Sequence, residues 1–431
     1  MTLKNIAIEN FLHIYTDLEN NENTPLFIHS LDVAKTCVAI ADILKIDYDK
    51  NYYFLSGLLH DIGLFIQNLS NNLIEDHSLK YNISKTALYS FDMLSLLEQI
   101  DKKSLHSLVS TNIIQYLDLN FPKLYLNVVR KSHKNFLGIF FESEKEKLLT
   151  EVLYIADQIS IFYRRNIKKG LGITADLIKK HVMGLEISKE VLNSSLIFLE
   201  DIFLMNLCFD QNFHNNFFDK NSIFLNKFNM IKFSKLFSFF IDYRSSYTRN
   251  HTTYVAELSK LLGKELGDEE NSDIMYLAGI YHDIGKIKTP LSILHKKGKL
   301  TSEEFFVMKN HIIDTYKFFE KSPELDFFGK YSYSHHERLD GSGYPFGKKE
   351  NELDLNHRII ALVDVYSALI EDRPYRKALD KKEALKVIEK EVENKKLDFV
   401  VYNKLKELIK NGLNLNRSEN IINYFFDIVL D

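Results

Sequence analysis

The chain has 431 residues, too many for one compact core and suited to two or three domains of ordinary size. Its 45% apolar and 26% charged residues are those of a soluble globular protein. The formal charge of −4 is spread along the chain, which excludes a global basic field that would draw nucleic acid or anionic lipid.

Residues 1–10 lack a basic stretch followed by a long apolar run, so no secretory signal is expected. Nor does any apolar run reach the roughly 18 residues of a membrane span. Two cysteines, Cys37 and Cys208, are too few for a disulfide framework and read as buried, inert thiols in a reducing cytoplasm. Six prolines and sixteen glycines leave little punctuation for strands, while apolar residues recur at helical spacing, so the chain reads as all-α. In chain order, His29 precedes the pair His60-Asp61, and Asp157 closes the apolar run Tyr154-Ile155-Ala156. The basic spots Arg164-Arg165 and Lys168-Lys169 read as solvated faces. A Phe- and Asn-rich stretch around 205–240 marks the seam between domains and reads as a packed helical connector. Beyond it, His251, Val255, Leu258 and Leu262 share one helix face, and Thr301 to Glu304 has the capping-box spacing that opens a helix carrying Met308 and His311.

The chain repeats itself. Sliding it by 222 residues superposes His29, Val33, Ala34, Leu44, Leu55, Gly57, His60, Asp61, Ile62 and Gly63 on identical residues, ten matches in 35 positions. Chance would give about two. The halves are therefore two copies of one unit, with expected boundaries 1–225 and 226–431.

The second copy gathers seven residues of metal-binding type: His251, His282, Asp283, His311, His335, His336 and Asp364. A lone histidine on a helix is most often structural, but adjacent pairs such as His282-Asp283 and His335-His336 are hard to explain by packing. Asp364 lies in the apolar run Ile359 to Val365, where an unpaired carboxylate would cost several kcal/mol and so needs a cation or dense hydrogen bonding. Mixed imidazole and carboxylate ligands suit Fe or Mn better than Mg or Ca, with Zn, Co or Ni also compatible. Seven ligands exceed what one ion and an open site require, so two divalent transition metals are expected.

These residues stand in an ordered series: Tyr247 to His251, His282-Asp283-Ile284-Gly285-Lys286, His335-His336-Glu337-Arg338 through Gly343-Tyr344-Pro345, Asp364 to Leu369, and Arg373-Pro374-Tyr375-Arg376. Over about residues 235–431 the series resembles the HD-GYP phosphodiesterases, a branch of the HD hydrolase superfamily. The resemblance implies two tandem HD-type helical domains, the second of HD-GYP type, with hydrolysis of cyclic di-GMP or a related dinucleotide such as cyclic GMP-AMP at an iron or manganese site. It implies that the seven residues above are the metal ligands with Asp283 as bridge, and that Lys286, Arg373 and Arg376 hold substrate phosphate. Tyr344 is expected to line the cleft. Paired cations would lower the pKa of a bridging water, and in-line attack would expel the ribose 3′ oxygen. The resemblance extends to contacts between the Gly-Tyr-Pro loop and proteins that make cyclic di-GMP, and leaves room for a homodimer. One departure is Tyr247, which stands where trinuclear members carry a third-metal glutamate.

The first copy keeps His29, His60, Asp61 and Asp157, which resemble the minimal metal quartet of HD hydrolases; His106 and His133 fall roughly where His311 and His335 do. Leu64 replaces the lysine, Lys134 replaces the second histidine, and no Gly-Tyr-Pro loop occurs. A degenerate domain is expected, with at most one metal, serving dimerisation or sensing. The rival readings for the whole chain are a non-hydrolytic cyclic-dinucleotide scaffold and an HD hydrolase of other nucleotides.

Overall fold

With so few helix breakers, the regular structure is helical in all but one place. A computed structural model describes residues 6–7, 25–64, 102–133, 138–210, 217, 223–243, 251–267, 269–296, 298–372, 376–413 and 415. Among these, the one exception is an antiparallel pair of two-residue strands, β1 (Ile6–Ala7) and β2 (Phe224–Leu225), with Ile6 opposite Leu225. The chain divides into two units, Glu22–Ile223 and Phe224–Tyr424, the second also taking β1.

The first unit contains α1 (Pro25–Leu44), α2 (Lys50–Leu59), α3 (Lys102–Leu117), α4 (Lys123–Lys131), α5 (Glu144–Asn166), α6 (Leu171–Val182), α7 (Lys189–Glu200) and α8 (Ile202–Phe209). Helix α1 is the hub, packed against α2, α5, α7 and α8, and its Val33, Ala34, Cys37 and Val38 are fully buried. Asp49 caps α2 and Ser143 caps α5, each side chain accepting from backbone N–H groups of the first turn. Cys37 and Cys208 are buried free thiols. Burial holds the Cys37 thiol well above its usual pKa and pushes Cys208 up to about 12, which keeps both protonated.

The second unit contains α9 (Lys227–Tyr243), α10 (His251–Glu265), α11 (Ser272–Tyr281), the short α12 (Leu291–Leu294), α13 (Ser302–Glu320), α14 (Asp326–Ser332), α15 (Leu355–Leu369), α16 (Lys381–Glu393) and α17 (Phe399–Lys410). Of the expected connector, residues 227–243 form α9, while 211–216 and 218–222 lie outside the described residues. The face read from Val255, Leu258 and Leu262 is fully buried, with α10 packed on α11 and α15. Behind α11, the buried Tyr281 meets the rings of Phe328 and Phe319 at 5.4 and 6.3 Å and accepts a hydrogen bond from Ser234. That aromatic cluster fixes the end of α11, the point from which His282 and Asp283 project. No single described helix is long and apolar enough to cross a membrane.

The capping box forms as expected: Thr301 accepts from the Glu304 N–H, and the Glu304 carboxylate accepts from the Thr301 N–H. Replacing Thr301 with Ala removes one of these bonds and should cost about 1 kcal/mol, read as a lower denaturant midpoint with an unchanged slope. An unchanged midpoint would show that tertiary packing alone sets the start of α13.

Candidate metal centre

The helix ends of the second unit aim inward. His251 opens α10, His282 and Asp283 follow α11, His311 lies on α13, His335 and His336 follow α14, and Asp364 lies mid-way along α15. Asp283 occupies the middle: its Oδ2 is 3.2 Å from His282 Nε2, and its Oδ1 is 3.4 Å from His311 Nε2 and 3.9 Å from His335 Nε2. Asp364 places Oδ1 3.3 Å from His251 Nε2 and Oδ2 3.8 Å from His336 Nδ1. All seven residues expected from the sequence thus meet in one cluster.

Most of these separations are too long for hydrogen bonds, which span about 2.7–3.2 Å. They suit ligand atoms sharing a cation, since atoms about 2.1 Å from one ion lie about 3.0–3.4 Å from each other. The Nε2 atoms of His282, His311 and His335 and Oδ1 of Asp283 are buried and make no hydrogen bond among the described residues. Leaving such an atom unsatisfied costs about 1–3 kcal/mol. The residues fit a divalent metal.

Orientation comes from the other ring nitrogen. His282 Nδ1 bonds the Gly279 carbonyl at 2.7 Å, His311 Nδ1 that of Met308 at 2.6 Å, and His335 Nδ1 that of Ser332 at 2.7 Å. A carbonyl can only accept, so Nδ1 carries the proton and each Nε2 presents a lone pair. Burial pushes His311 down to about 4 and, with His282 beside it, His335 down to about 3. Both rings are therefore neutral at pH 7. Burial by itself would raise the carboxyls, but His282 and Lys286 hold Asp283, and His251 with His335 hold Asp364, well below the usual carboxylate range.

His251 is the first residue of its helix and uses a side chain instead: its Nδ1 lies 3.0 Å from Oε2 of Glu371. Sequence reading missed Glu371. It lies just past the end of α15, where no local pattern marks it. Glu337, also missed, is buried and accepts from the backbone N–H groups of Phe346 and Lys348 at 2.8 and 2.9 Å, tying the Gly-Tyr-Pro loop to the segment that carries His335 and His336. The same closeness requires Gly343, where a Cβ would fall 2.4 Å from Arg338 N and 2.5 Å from Glu337 Cα. The Tyr344–Pro345 peptide is cis. Tyr344 lays its ring 4.7 Å from that of His336, with Lys309 Nζ 4.8 Å above it.

Lys286 Nζ lies 2.5 Å from Asp283 Oδ2, at the centre of the cluster. Arg376 turns to the main chain: its guanidinium donates to the carbonyls of Ala368, Leu369 and Lys377 and caps the end of α15. Tyr247, Arg373 and Lys134 lie outside the described residues. In the first unit, His29, His60, Asp61 and Asp157 also converge, with His29 Nε2 2.9 Å from Asp157 Oδ1 and 3.6 Å from Asp61 Oδ2. His106 and His133 reach the same Asp61.

An all-helical fold with a His-Asp pair closing one helix and an aspartate inside another defines the HD domain. Residues 26–160 match the HD domain family, residues 235–401 match a further HD domain family, and the chain belongs to the HD-domain proteins, its second half carrying the HD-GYP series. HD domains bind divalent metals, consistent with the clusters here. The chain is similar to the 3′3′-cGAMP-specific phosphodiesterase 1 of Vibrio cholerae, 40% identical over 163 residues, 38% of each chain. It is likewise 40% identical over 152 residues to a cyclic di-GMP phosphodiesterase of Thermotoga maritima, covering 34% of this chain and 41% of that protein. Each match takes in less than half of the relative. A crystal structure of a cyclic GMP-AMP-specific phosphodiesterase of V. cholerae shares the fold over 95% of this chain and 99% of its own, with TM-score 0.62 at 17% identity.

Loss of the carboxylate that orients a metal-binding imidazole typically costs 10- to 100-fold in metal affinity. Glu371→Ala should weaken metal binding by that factor, and Glu371→Gln, which keeps an acceptor, by less. Competition with a chromogenic chelator measures both, and equal affinity in all three proteins would remove Glu371 from the centre.

Proposed function

We propose that the second unit is a metal-dependent phosphodiesterase that opens a cyclic dinucleotide, cyclic di-GMP or cyclic GMP-AMP, to a linear product. The observation that carries this reading is the convergence of five imidazoles and two carboxylates, all but His336 buried, with Tyr344 of the Gly-Tyr-Pro loop against His336. The names of the relatives support the substrate class. We take His251, His282, Asp283, His311, His335, His336 and Asp364 as the residues that would hold two divalent cations, Fe or Mn.

When bound, the cations supply an activated water and positive charge against the scissile phosphate. The chain's own residues prepare for this. Burial keeps His311 and His335 neutral, and backbone carbonyls hold the rings in place before any ligand arrives. Lys286 sets an ammonium at the shared carboxylate, within reach of a phosphate oxygen that approaches Asp283, where it offsets charge that grows in the transition state. Tyr344, braced against His336 and held by the Glu337-anchored loop, forms one wall of the cleft. Arg376 keeps the loop after α15 in position, leaving phosphate contacts to Lys286 and Arg373. One water is consumed: its oxygen bonds to phosphorus, the bond to the ribose 3′ oxygen breaks, a proton from that water passes to the departing 3′ oxygen, and the ring opens.

Asp283→Ala should abolish turnover and, with it, the second unit's share of the metal content, assayed on anaerobically purified protein with cyclic di-GMP and cyclic GMP-AMP. A variant that keeps both would remove Asp283 from the centre. Lys286→Ala should retain metal and lower kcat by at least tenfold while KM changes little, because the ammonium acts where charge develops. An unchanged kcat would leave Lys286 only its ion pair with Asp283. A wild-type protein that binds these nucleotides but releases no linear product, with metal present, would instead support a scaffold.

A further inference from the structure

The Gly-Tyr-Pro loop lies along α13. Tyr344 meets Lys309 of that helix, and Phe346 meets Tyr316 about two turns further on, with ring centroids 5.7 Å apart. Phe305 precedes Lys309 by four residues and so shares its face of α13. Lys309 Nζ lies 4.9 Å from the centre of the Phe305 ring and 4.8 Å from that of Tyr344. The Tyr344 ring is itself 4.7 Å from that of His336, so this face of the helix borders the metal centre.

Packing alone does not account for two of these side chains. Phe305 is 49% exposed, a large apolar ring left open beside the centre. Lys309 is half-buried, yet among the described residues its ammonium makes no ion pair or hydrogen bond. Elsewhere in the unit Lys260, Lys286 and Lys296 each meet a carboxylate. An ammonium whose contacts are ring faces keeps its three N–H donors for another group. A purine suits both side chains. Its flat face stacks on an open aromatic ring, and one edge of guanine presents two acceptors, O6 and N7. Adenine carries an amino donor in place of O6, which an ammonium disfavours.

We propose that Lys309 selects a guanine of the substrate, donating to O6 and N7, while Phe305 provides the face on which that base lies. This rests on the cyclic-dinucleotide reading of the second unit and adds to it the residue that separates guanine from adenine. The base is remote from the reacting phosphorus, so its contact with Lys309 is the same in the ground state and the transition state. Lys309 therefore acts on KM, whereas Lys286 acts where charge develops. A lysine that only steadied Tyr344 would serve either purine equally.

The test uses the full chain loaded with Mn²⁺ and assayed with cyclic di-GMP and cyclic di-AMP. The wild-type protein should favour cyclic di-GMP in kcat/KM by about tenfold or more, the size of one such base contact. Lys309→Met should cut that preference at least about fivefold by raising KM for cyclic di-GMP. Lys309→Arg, whose guanidinium donates to the same two acceptors, should keep it. Phe305→Ala should raise KM for both nucleotides, since stacking does not distinguish the bases. An unchanged preference in Lys309→Met, an equal loss for both nucleotides, or a wild-type protein without preference overturns the proposal. Equilibrium dialysis gives the same ratio from dissociation constants and does not require turnover. A Lys309-dependent guanine preference in binding, with no linear product released, would defeat the phosphodiesterase reading and uphold this one. Turnover without such a preference does the reverse, and binding of neither nucleotide defeats both.

Discussion

An imidazole can serve a metal only if one nitrogen is occupied elsewhere and the other is left bare. In the second unit that condition is met three times by the same contact, Nδ1 to the carbonyl three residues back, at His282, His311 and His335. The carbonyls belong to helix turns that already exist for reasons of packing, so ring orientation follows from helix placement. The rest of the centre depends on this. With the rings turned, three bare nitrogens point at Asp283, and the helices are held in register behind them by the Tyr281, Phe319 and Phe328 cluster.

The second constraint is charge. Asp283 and Asp364 are buried, Asp364 next to an apolar run whose Ile359, Ile360, Leu362 and Val363 are fully enclosed. Desolvation opposes ionisation at both; it is overcome at Asp283 by His282 and Lys286 and at Asp364 by the imidazoles around it, His251 first. Such an arrangement tolerates little rearrangement, because removing one partner leaves the others buried and uncompensated. Glu371 behind His251 and Glu337 beneath the loop extend the same logic outward, each carboxylate holding a group that itself holds something else.

Much of this was legible in the sequence because residue type and spacing carry it directly. The 222-residue offset, the His-Asp pairs, the carboxylate inside an apolar run and the Thr301 to Glu304 cap are all local patterns, and each appears where it was read. What escaped depends on how distant segments close. Nothing near Glu371 in the sequence says that it meets His251, 120 residues away. That Arg376 donates to the carbonyls at the end of α15 is likewise invisible in a string of letters. The register of His106 and His133 was uncertain because the intervening stretches differ in length between the halves; a Cβ on Gly63 would meet the His106 carbonyl as one on Gly285 would meet that of His311, which pairs those two histidines. The need for Gly343 has the same origin, since the backbone it touches is that of Glu337 and Arg338.

The reliance on main-chain carbonyls has a consequence for how such a unit diverges after duplication. Every residue offers the same carbonyl, so substitutions along a helix leave the ring behind it oriented as before. Substrate-facing features rest on particular side chains and can be lost singly: the lysine has gone from the first copy, and the loop with it. Ligand orientation at His60, by contrast, is inherited with the backbone trace itself. A copy released from one task therefore keeps a ready-made framework for metal long after its surface chemistry has drifted.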